Sequence, residues 1–447
     1  MSNPVDRALP PGPRGALIQT LRYFRDPYGY YEKMSVRYGK LFTMPTMNGT
    51  LVVALTSDGA RQILAGGEDD FVSEFGFDVI EPMIGSGSLL LTSGDRHRRD
   101  RKLLSPTFTG SRMRSYADAV IEAADRELAD WRVGERIPLR ESMSNISMDV
   151  IIRTVFGVQA DDQVKAMRTA IYHAVIEVNP ALIFFKFLQR APFGLGPWAR
   201  FRRNMNELDD LIYAQIQTTR SAEKLGVDVL SRMLESRFED GEPMDDIAIR
   251  DHLVALLIAG HETTSTTLSW ALYELLRKPA ILEQVRKEIE ALGPDPAPDS
   301  ITALPLLGAV CQETLRMHPV LPEFFRTVRE EYEIDGYRIP KGVTLAGAII
   351  AIHRDASLYP EPLEFRPERF IERRYAVHEM ASFGGGHRYC LGASFAMNEL
   401  KLVIARVLMC ADLELELELD RALATVRRNG TLAPEADVPV RILQRRR

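Results

Sequence analysis

Residues 383–392 read FGGGHRYCLG, and this stretch is the most informative in the chain. Three consecutive glycines precede Cys390, and glycine lets a backbone turn sharply and approach a flat partner closely. After Cys390, apolar residues recur at helical spacing from Phe395 to Leu408. The pattern therefore places Cys390 where a glycine-rich loop enters a helix, and the free N–H groups and dipole of a helix N-terminus stabilise a thiolate.

Several roles for Cys390 can be compared on the residues alone. A buried structural cysteine is the default, but it explains neither the three glycines nor the nearby Arg388. A zinc site needs about four ligands, yet no further Cys or His follows at ligand spacing, and His387 is too near in the chain to share a metal easily. A nucleophile would need a histidine base that the fold supplies, and this stays open. A thiolate ligand of haem iron needs no second protein ligand.

Composition excludes several classes of protein. Of the 447 residues, 45% are hydrophobic and 26% charged, which is typical of globular proteins and not of disordered, collagen-like or coiled-coil chains. The formal net charge of −6 gives no support for nucleic-acid binding. The three cysteines are too few for a disulfide scaffold and favour a reducing, cytoplasmic location.

The chain contains no membrane-spanning pattern. Its longest stretches of apolar residues and glycine, residues 253–260 and 345–352, are far shorter than the ~20 residues that a span requires. The N-terminus, MSNPVDRALPPGPRG, lacks the apolar core of a secretory signal. We therefore expect no transmembrane anchor.

Periodicity predicts a mainly α fold with smaller β regions (α+β). We expect a proline-rich lead over residues 1–15 and a single large domain over residues 16–447. Predicted helices cover residues 26–38, 113–131, 142–156, 247–276, 280–292 and 305–317. Predicted β segments are a hairpin over 41–55, strands over 326–334, 337–339, 343–352 and 413–420, and a terminal hairpin from 429–430 and 438–443.

The loop around Cys390 resembles the haem-binding loop of the cytochrome P-450 monooxygenases, soluble bacterial type. The matching positions of the motif are Phe383, Gly386, Arg388, Cys390 and Gly392. The resemblance implies haem b (iron protoporphyrin IX) held by the Cys390 thiolate, with Gly384 also in the cradle. It places the haem between a long oxygen-binding helix and the helix that follows the cysteine.

A second signature is AGHETT, residues 259–264, inside the longest predicted helix. A glycine followed by a carboxylate and hydroxyls suits a helix centre poorly, which favours a functional role over the alternative of a packed, threonine-rich face. The stretch resembles the family's oxygen-binding segment. The resemblance implies that Thr263 hydrogen-bonds iron-bound oxygen, that Glu262 relays protons, and that Ala259 and Gly260 lie against the haem. We assign His261 no catalytic role.

Two further sets of residues follow from the resemblance. Glu313 and Arg316, three apart, would join Arg369 of FRPERF (residues 365–370) in a buried structural trio, although such a pair alone is common on solvated helices. The haem propionates would be bound by four cationic side chains. These are His97, Arg101, Arg326 and Arg388, of which the first two share one helical face in DRHRRDRK, residues 95–102. The alternative for that run is a solvated basic face.

The implied activity is insertion of one oxygen atom from O2 into an apolar substrate, by hydroxylation or epoxidation. Fatty acids and terpenoids are favoured. The chain has no dinucleotide-binding glycine motif after a strand, so NAD(P)H would act indirectly, through a ferredoxin or flavodoxin with its reductase. Such a partner could dock on the basic residues near Arg98, Arg99 and Lys102. We expect a monomer.

The expected substrate pocket consists of apolar residues from five segments. Glu323 is the one charge that could reach a substrate, but we expect it to face solvent or to form a salt bridge instead. The predicted lining of the pocket is Phe75, Phe77, Leu89, Ile183, Phe184, Leu256, Leu321, Phe324 and Leu432. Alternatives on the same fold are a peroxide-using enzyme or an isomerase. A haem-binding gas carrier or sensor would not need the Glu262–Thr263 pair.

Overall fold

The computed structural model describes residues 9–72, 77–109, 112–179, 182–183, 188–417, 422–428 and 430–446. It confirms a helix-dominated fold with small sheets. The chain forms two compact units, each built from three segments of sequence. Unit 1 comprises Met1–Gly76, Ala309–Ala393 and Ala424–Glu435, and unit 2 comprises Phe77–Gly308, Ser394–Leu423 and Ala436–Arg447. Segments that are distant in sequence therefore complete each unit.

The described residues form α-helices from Ala16 to Cys410. They are α1 (Ala16–Arg25), α2 (Pro27–Tyr38), α3 (Ser57–Ala65), α4 (Glu81–Ile84), α5 (Gly94–Leu104), α6 (Arg112–Ala129), α7 (Leu139–Thr154), α8 (Asp161–Ile171), α9 (Pro197–Ser221), α10 (Val229–Glu235), α11 (Asp246–Arg277), α12 (Pro279–Glu290), α13 (Pro298–Thr302), α14 (Pro305–Met317), α15 (Ile349–Ile352), α16 (Arg369–Glu372) and α17 (Ala393–Cys410). Among the described residues, none of these helices combines the length and apolar content that a bilayer crossing requires.

The strands are β1 (Leu41–Thr46), β2 (Gly49–Ala54), β3 (Phe71–Val72), β4 (Arg136–Pro138), β5 (Phe324–Val328), β6 (Glu331–Ile334), β7 (Tyr337–Pro340), β8 (Thr344–Gly347), β9 (Ala411–Leu415), β10 (Thr425–Arg428), β11 (Thr431–Pro434) and β12 (Pro439–Arg445). Unit 1 holds a sheet of order β1-β2-β8-β5-β3 and the hairpins β6-β7 and β10-β11. Unit 2 holds the sheet β4-β12-β9.

The main sheet of unit 1 has a hydrophobic core on each side. β1 and β2 form the predicted antiparallel hairpin, and β2 then pairs in parallel with β8. Alternate side chains of β2 explain the two cores, because successive residues of a strand point to opposite faces. Val52 and Ala54 join one core, while Leu51 and Val53 join the other.

In unit 2 the 32-residue helix α11 is buried along most of its length. Asp245 caps its N-terminus by accepting a hydrogen bond from the N–H of Ala248 at 2.7 Å. Where α11 crosses α7, a Cβ on Gly260 would lie 3.1 Å from Ile151 Cδ1. The two helices are thus in tight contact at the glycine of the AGHETT segment.

The structure corrects several β assignments and adds helices, α1 and α3 among them. Residues 326–334 are divided between β5 and β6, and the strand predicted over 413–420 ends at Leu415. Residues 343–352 do not form one strand, because β8 ends at Gly347 and α15 follows. An apolar run that is buried on all sides carries no periodicity to distinguish strand from helix. β12 pairs with β4 and β9 and not with the hairpin around Gly430. The helix α1 was not predicted, and the expected lead over residues 1–15 is described only from Leu9 onward.

The buried carboxylate of Glu313 binds two arginines and connects several segments of unit 1. Glu313 Oε2 accepts from Arg316 Nε at 2.6 Å and Glu313 Oε1 accepts from Arg369 Nε at 3.0 Å. Arg316 also donates to the carbonyls of His353 and Pro362, both at 2.9 Å. All three side chains of the trio are at most 2% exposed. The structure therefore brings the predicted trio together.

Removing one arginine of the trio should destabilise the fold. Arg369→Met leaves the buried Glu313 with one of its two cationic partners. Breaking a buried ion pair in this way lowers the free energy of unfolding by about 3 kcal/mol or more. Arg366→Met is the matched control, since Arg366 pairs with Glu372 at the exposed surface and such pairs contribute about 1 kcal/mol or less. Denaturant unfolding of the two variants measures the difference, and equal losses would contradict the role of the trio.

His353 is a second buried polar group of unit 1. Its Nδ1 lies 2.9 Å from the carbonyl oxygen of Arg316, so Nδ1–H donates, and Nε2 is buried with no partner among the described atoms. A proton on Nε2 would be unsatisfied and close to the Arg316 guanidinium. Burial first, and then the Arg316 charge, lower the pKa of His353 from 6.5 to about 3.

The protein should lose stability in mild acid through His353. As the pH falls below 6.5, the unfolded chain binds a proton on this histidine and the folded chain does not. The free energy of unfolding therefore decreases with falling pH, until the folded chain also binds the proton at about pH 3. Between pH 7.5 and pH 5 the free energy of unfolding should fall by about 2 kcal/mol on this account. Denaturant titrations across this range compare the wild type with His353→Gln. An unchanged pH slope in the variant would refute the assignment.

Candidate functional site

The loop before Cys390 is closed by backbone hydrogen bonds in unit 1. The N–H of Cys390 donates to the carbonyl of Phe383 at 2.9 Å, which brings the two ends of the predicted motif together. Gly384 and Gly386 have φ angles of +64° and +62°, in the left-handed region. Side chains other than glycine adopt that region at a cost, so two of the three consecutive glycines are required by the turn itself.

The loop packs tightly on α3. A Cβ on Gly386 would lie 2.7 Å from the carbonyl oxygen of Leu64, and a Cβ on Gly385 would lie 2.7 Å from Leu64 Cδ1. Real Cβ atoms do not approach a backbone oxygen so closely. The sequence predicts that the glycine backbone approaches a partner closely, and in the structure this partner is α3.

Cys390 differs from the other two cysteines in its accessibility. Its residue is exposed, Cys410 is partly buried and Cys311 is buried at 1% exposure. Among the described residues no group of three or more His, Cys, Asp or Glu side chains could hold a metal ion. The zinc reading thus has no ligand set in this part of the chain. The loop offers a single accessible sulfur donor.

Arg326 anchors the loop from β5. Its guanidinium is 2% exposed and donates to the carbonyl of Gly385 at 2.8 Å and to that of Phe325 at 2.6 Å. Arg388 lies in the 3-10 turn Gly386–Arg388, two residues before the cysteine. Next to it, the ring of His387 stacks on Phe71 with centroids 6.3 Å apart. Burial, with Arg326 and Arg388 nearby, lowers the pKa of His387 to about 4.

In unit 2 the AGHETT segment opens a strip on the otherwise buried helix α11. Leu256, Ala259, Gly260 and Thr263, at positions i, i+3, i+4 and i+7, are partly or fully exposed, whereas Thr264 is 4% exposed. The helix is α-helical throughout this segment. Thr263 Oγ1 donates to the carbonyl of Ala259 at 2.6 Å, which leaves its oxygen lone pairs as acceptors toward the strip.

His261 anchors the opposite side of this segment, and the sequence analysis missed its role. Its Nε2 lies 2.9 Å from Ser144 Oγ and 3.2 Å from the carbonyl oxygen of Ser144 on α7. Burial lowers the pKa of His261 to about 4, so the ring is neutral at pH 7. A polar residue on the buried side of an apolar helix was the available signal, but its partner is 117 positions away and could not be identified from the sequence. The contact sets which side of α11 carries Thr263.

α5 carries the predicted cationic pair on one face. His97 is 1% exposed, and Arg101 is partly buried one turn later. The neighbouring basic residues are engaged with surface carboxylates: Arg98 with Asp95 at 2.7 Å, Arg99 with Asp240 at 3.0 Å, and Lys102 with Glu239. The basic surface expected on this helix is therefore partly neutralised within the chain.

The predicted pocket residues have different environments. Phe75 and Phe184 lie outside the described residues, as does the side chain of Phe77. Leu89 and Leu256 are partly exposed, Leu321 is 42% exposed and Ile183 is buried.

Phe324 and Leu432 do not fit the expected pocket. They belong to the two hydrophobic cores of unit 1, where Phe324 packs over Gly347, and we do not retain them as lining residues.

Glu323 is neither solvent-facing nor ion-paired through its own oxygens. The carboxylate is buried and accepts hydrogen bonds from the hydroxyls of Tyr31, at 2.6 Å, and Tyr23. Burial raises its pKa despite these two donors. It therefore has a structural role in unit 1.

Two cavities of about 390 Å³ each occur elsewhere in unit 2. Arg286, Asp412 and Arg446 line the first, and Arg153, Asp228 and Lys224 line the second. Neither contains a residue that the sequence assigns to the site.

The described side chains fit a haem with a sulfur ligand. Unit 1 supplies one accessible thiol on a loop without competing metal ligands, together with the guanidinium groups of Arg326 and Arg388. Taken by itself, unit 2 carries His97 and Arg101 on one face of α5. A single soft donor and several cationic groups match the chemistry of iron and of two propionates.

Comparisons with known proteins identify the family of this chain. The family model Cytochrome P450 matches residues 9–423. Cytochrome P450 135A1 of Mycobacterium tuberculosis is 33% identical over 415 residues, covering 91% of this chain and 89% of the relative. Cytochrome P450 137 of the same species is 32% identical over 434 residues, covering 94% and 89%.

Solved structures show the same fold. "Retinoic acid bound cyanobacterial CYP120A1" matches with a TM-score of 0.84 and 23% identity over 98% of this chain and 99% of that one. The cytochrome P450DA heme domain matches with a TM-score of 0.85 and 24% identity over 99% of both chains. With the family model spanning nearly all residues and relatives above 30% identity, the chain belongs to the cytochrome P450 family of haem-thiolate monooxygenases.

Proposed function

We propose that this chain is a haem-thiolate monooxygenase that transfers one oxygen atom from O2 to an apolar substrate, by hydroxylation or epoxidation. The observation that carries the proposal is the accessible Cys390 on a loop closed to Phe383 and anchored by Arg326. Such a loop presents one sulfur in a fixed position. We further propose that residues 16–447 act as one catalytic domain, which the match of one family model over residues 9–423 supports.

Cys390 would bind the iron of haem b, and His97, Arg101, Arg326 and Arg388 would bind its propionates. When bound, the haem supplies the activation of O2, which an electron-rich thiolate ligand favours. Phe383 accepts the hydrogen bond that closes the loop, Gly384 and Gly386 provide its left-handed turns, and Gly392 follows the exposed sulfur by two residues. Arg326 cannot move freely, because two backbone carbonyls already accept hydrogen bonds from it.

Glu262 and Thr263 would manage protons on the exposed strip of α11. The Thr263 hydroxyl uses its hydrogen on the carbonyl of Ala259, so its oxygen can accept a hydrogen bond from a bound, protonated group. The Glu262 carboxyl, one residue earlier, can take up a proton and pass it on. Gly260 and Ala259 keep the strip free of bulky side chains.

An apolar substrate suits the accessible residues of this strip. Leu256 and Ala259 present hydrocarbon, and the polar side chains beside them are the partly buried Glu262 and Thr263. Fatty acids and terpenoids are the classes we favour. A spin-shift screen of the purified protein against an apolar library, followed by product analysis, identifies the substrate.

Electrons would come from NAD(P)H through a ferredoxin or flavodoxin and its reductase, in the cytoplasm, to a monomeric enzyme. A docking surface that includes Arg98, Arg99 and Lys102 would have to exchange the ion pairs these residues make with Asp95, Asp240 and Glu239. Such exposed pairs contribute little energy and exchange readily.

Cys390→Ser should abolish the strongly red-shifted Soret band of the ferrous carbon monoxide complex, because a hydroxyl does not replace a thiolate as the iron ligand. Cys311→Ala and Cys410→Ser are the controls and should retain the band. Alanine is used at position 311 because a hydroxyl at this buried site would lack a partner. A wild-type band typical of histidine ligation would exclude the proposed ligand and favour a carrier or sensor.

Thr263→Ala should separate oxygen consumption from product formation. Substrate binding and reduction do not use the hydroxyl, whereas product formation should slow by about 10²-fold, the lower range for a positioned proton-transfer group. NAD(P)H consumption would continue with release of peroxide.

Thr264→Ala is the matched control, since Thr264 lies on the buried side of α11 and should leave coupling unchanged. The ratio of product to NAD(P)H, measured with a ligand from the spin-shift screen, tests both variants. Full coupling in Thr263→Ala would refute the role of this hydroxyl.

A further inference from the structure

The helix α1 exposes its apolar side chains and buries a polar one, which is the reverse of an ordinary surface helix. Its large apolar residues Leu17, Ile18, Leu21 and Phe24 are 51–60% exposed, whereas the polar Gln19 is 4% exposed. Leu17, Leu21 and Phe24 recur at i, i+4 and i+7, so they form one stripe on the helix surface. A helix normally packs such a stripe into the core, whereas here its members are more than half exposed. The Phe24 ring in addition contacts the guanidinium of Arg427, 4.7 Å from its centroid.

Polar contacts hold the inner face in this orientation. Gln19 Nε2 donates to the carbonyl of Arg14 at 2.9 Å, and its Oε1 accepts from the hydroxyl of Tyr30 at 3.2 Å. The buried Tyr23 hydroxyl donates to Glu323 and accepts from Arg427 at 2.8 Å. Turning the apolar stripe inward would leave these buried polar groups without partners, so the outward orientation belongs to the folded state.

The charged side chains of α1 and of the segment just before it are all positive, and the first acidic residue after them is the exposed Asp26, whose carboxylate caps α2. Residues 9–25 contain three arginines, Arg14, Arg22 and Arg25, and no acidic residue or lysine. All three are exposed, and none forms an ion pair with a described carboxylate. This contrasts with α5, where Arg98, Arg99 and Lys102 pair with surface carboxylates. An exposed apolar stripe flanked by unpaired arginines is complementary to a surface that has an outer layer of anionic groups and an apolar interior below it.

We propose that α1 docks reversibly on the surface of a bilayer that contains anionic phospholipid. Leu17, Leu21 and Phe24 would enter the boundary between headgroups and acyl chains, and Arg22 and Arg25 would contact lipid phosphates. A single short helix of this kind lies in the plane of the interface and binds weakly, with strength set by its apolar area and by the anionic lipid content. This inference does not depend on the proposed monooxygenase activity.

The test uses the full-length holoprotein and its sedimentation with vesicles at low ionic strength. Equimolar phosphatidylcholine and phosphatidylglycerol vesicles should carry the protein into the pellet, and phosphatidylcholine vesicles should not. Leu17→Gln/Leu21→Gln should weaken vesicle binding by about tenfold or more, because each substitution removes an apolar side chain that would be buried in the membrane interface. Glutamine keeps the helix propensity of leucine, so the helix itself should be preserved. Arg22→Gln/Arg25→Gln should weaken it by roughly fivefold per arginine, and added salt should have the same effect.

Val36→Gln/Met47→Gln is the matched control. Val36 and Met47 are single apolar residues of unit 1, 87% and 63% exposed, and lie outside the stripe, so this variant should sediment like the wild type. Circular dichroism and the carbon monoxide spectrum report whether each variant is folded.

Three results would overturn the proposal. They are no sedimentation of the folded wild type with anionic vesicles, equal binding to both kinds of vesicle, and equal binding by Leu17→Gln/Leu21→Gln. A dimer in the absence of lipid that this variant abolishes would assign the stripe to a second copy of the chain instead.

Discussion

The buried carboxylate of Glu313 is the constraint on which the arrangement of unit 1 around Cys390 depends. Two arginines and the N–H of Arg366 are bound to its two oxygens, and the arginines in turn bind carbonyls between His353 and Glu364. A charge in such a place must keep all its partners. The long segment that leads from β8 to the cysteine loop is thereby held against α14, and the hydroxyl of Ser382 donates to the carbonyl of Leu315 at 3.1 Å to continue the connection.

The same principle, a buried polar group that fixes the orientation of an element, recurs at two other places. On α11, the contact between His261 and Ser144 determines that Thr263 lies on the accessible side and Thr264 on the buried side. On α1, Gln19 and Tyr23 hold the polar side inward, which leaves the apolar stripe exposed. In both helices hydrogen-bonded side chains decide which chemistry the helix presents, since apolar packing alone is compatible with several rotations.

Much of the fold could be predicted from local patterns. The boundaries of α2, α6, α11 and α14 follow from helical periodicity, capping residues and prolines, and the β1-β2 hairpin follows from its β-branched residues and the Asn48-Gly49 turn. Prediction failed where local pattern is uninformative. Residues 343–352 are apolar on every side, so strand and helix could not be distinguished. The helix α1 was not predicted, and the partners of its buried Tyr23, which are Glu323 and Arg427, lie 300 and 404 positions away in the sequence.

The sequence by itself determined the chemistry of this protein: one cysteine behind three glycines, a carboxylate and a hydroxyl in the middle of an apolar helix, and a Glu313–Arg316 pair with Arg369 downstream. These are short-range signals, since ligand type and backbone freedom are properties of the residues themselves. Only the tertiary structure decided which side of each helix is accessible, that Gly386 is required by the approach to Leu64, and that Phe324, Leu432 and Glu323 belong to the interior of unit 1. Burial and pairing depend on contacts between residues hundreds of positions apart, and no local pattern contains them.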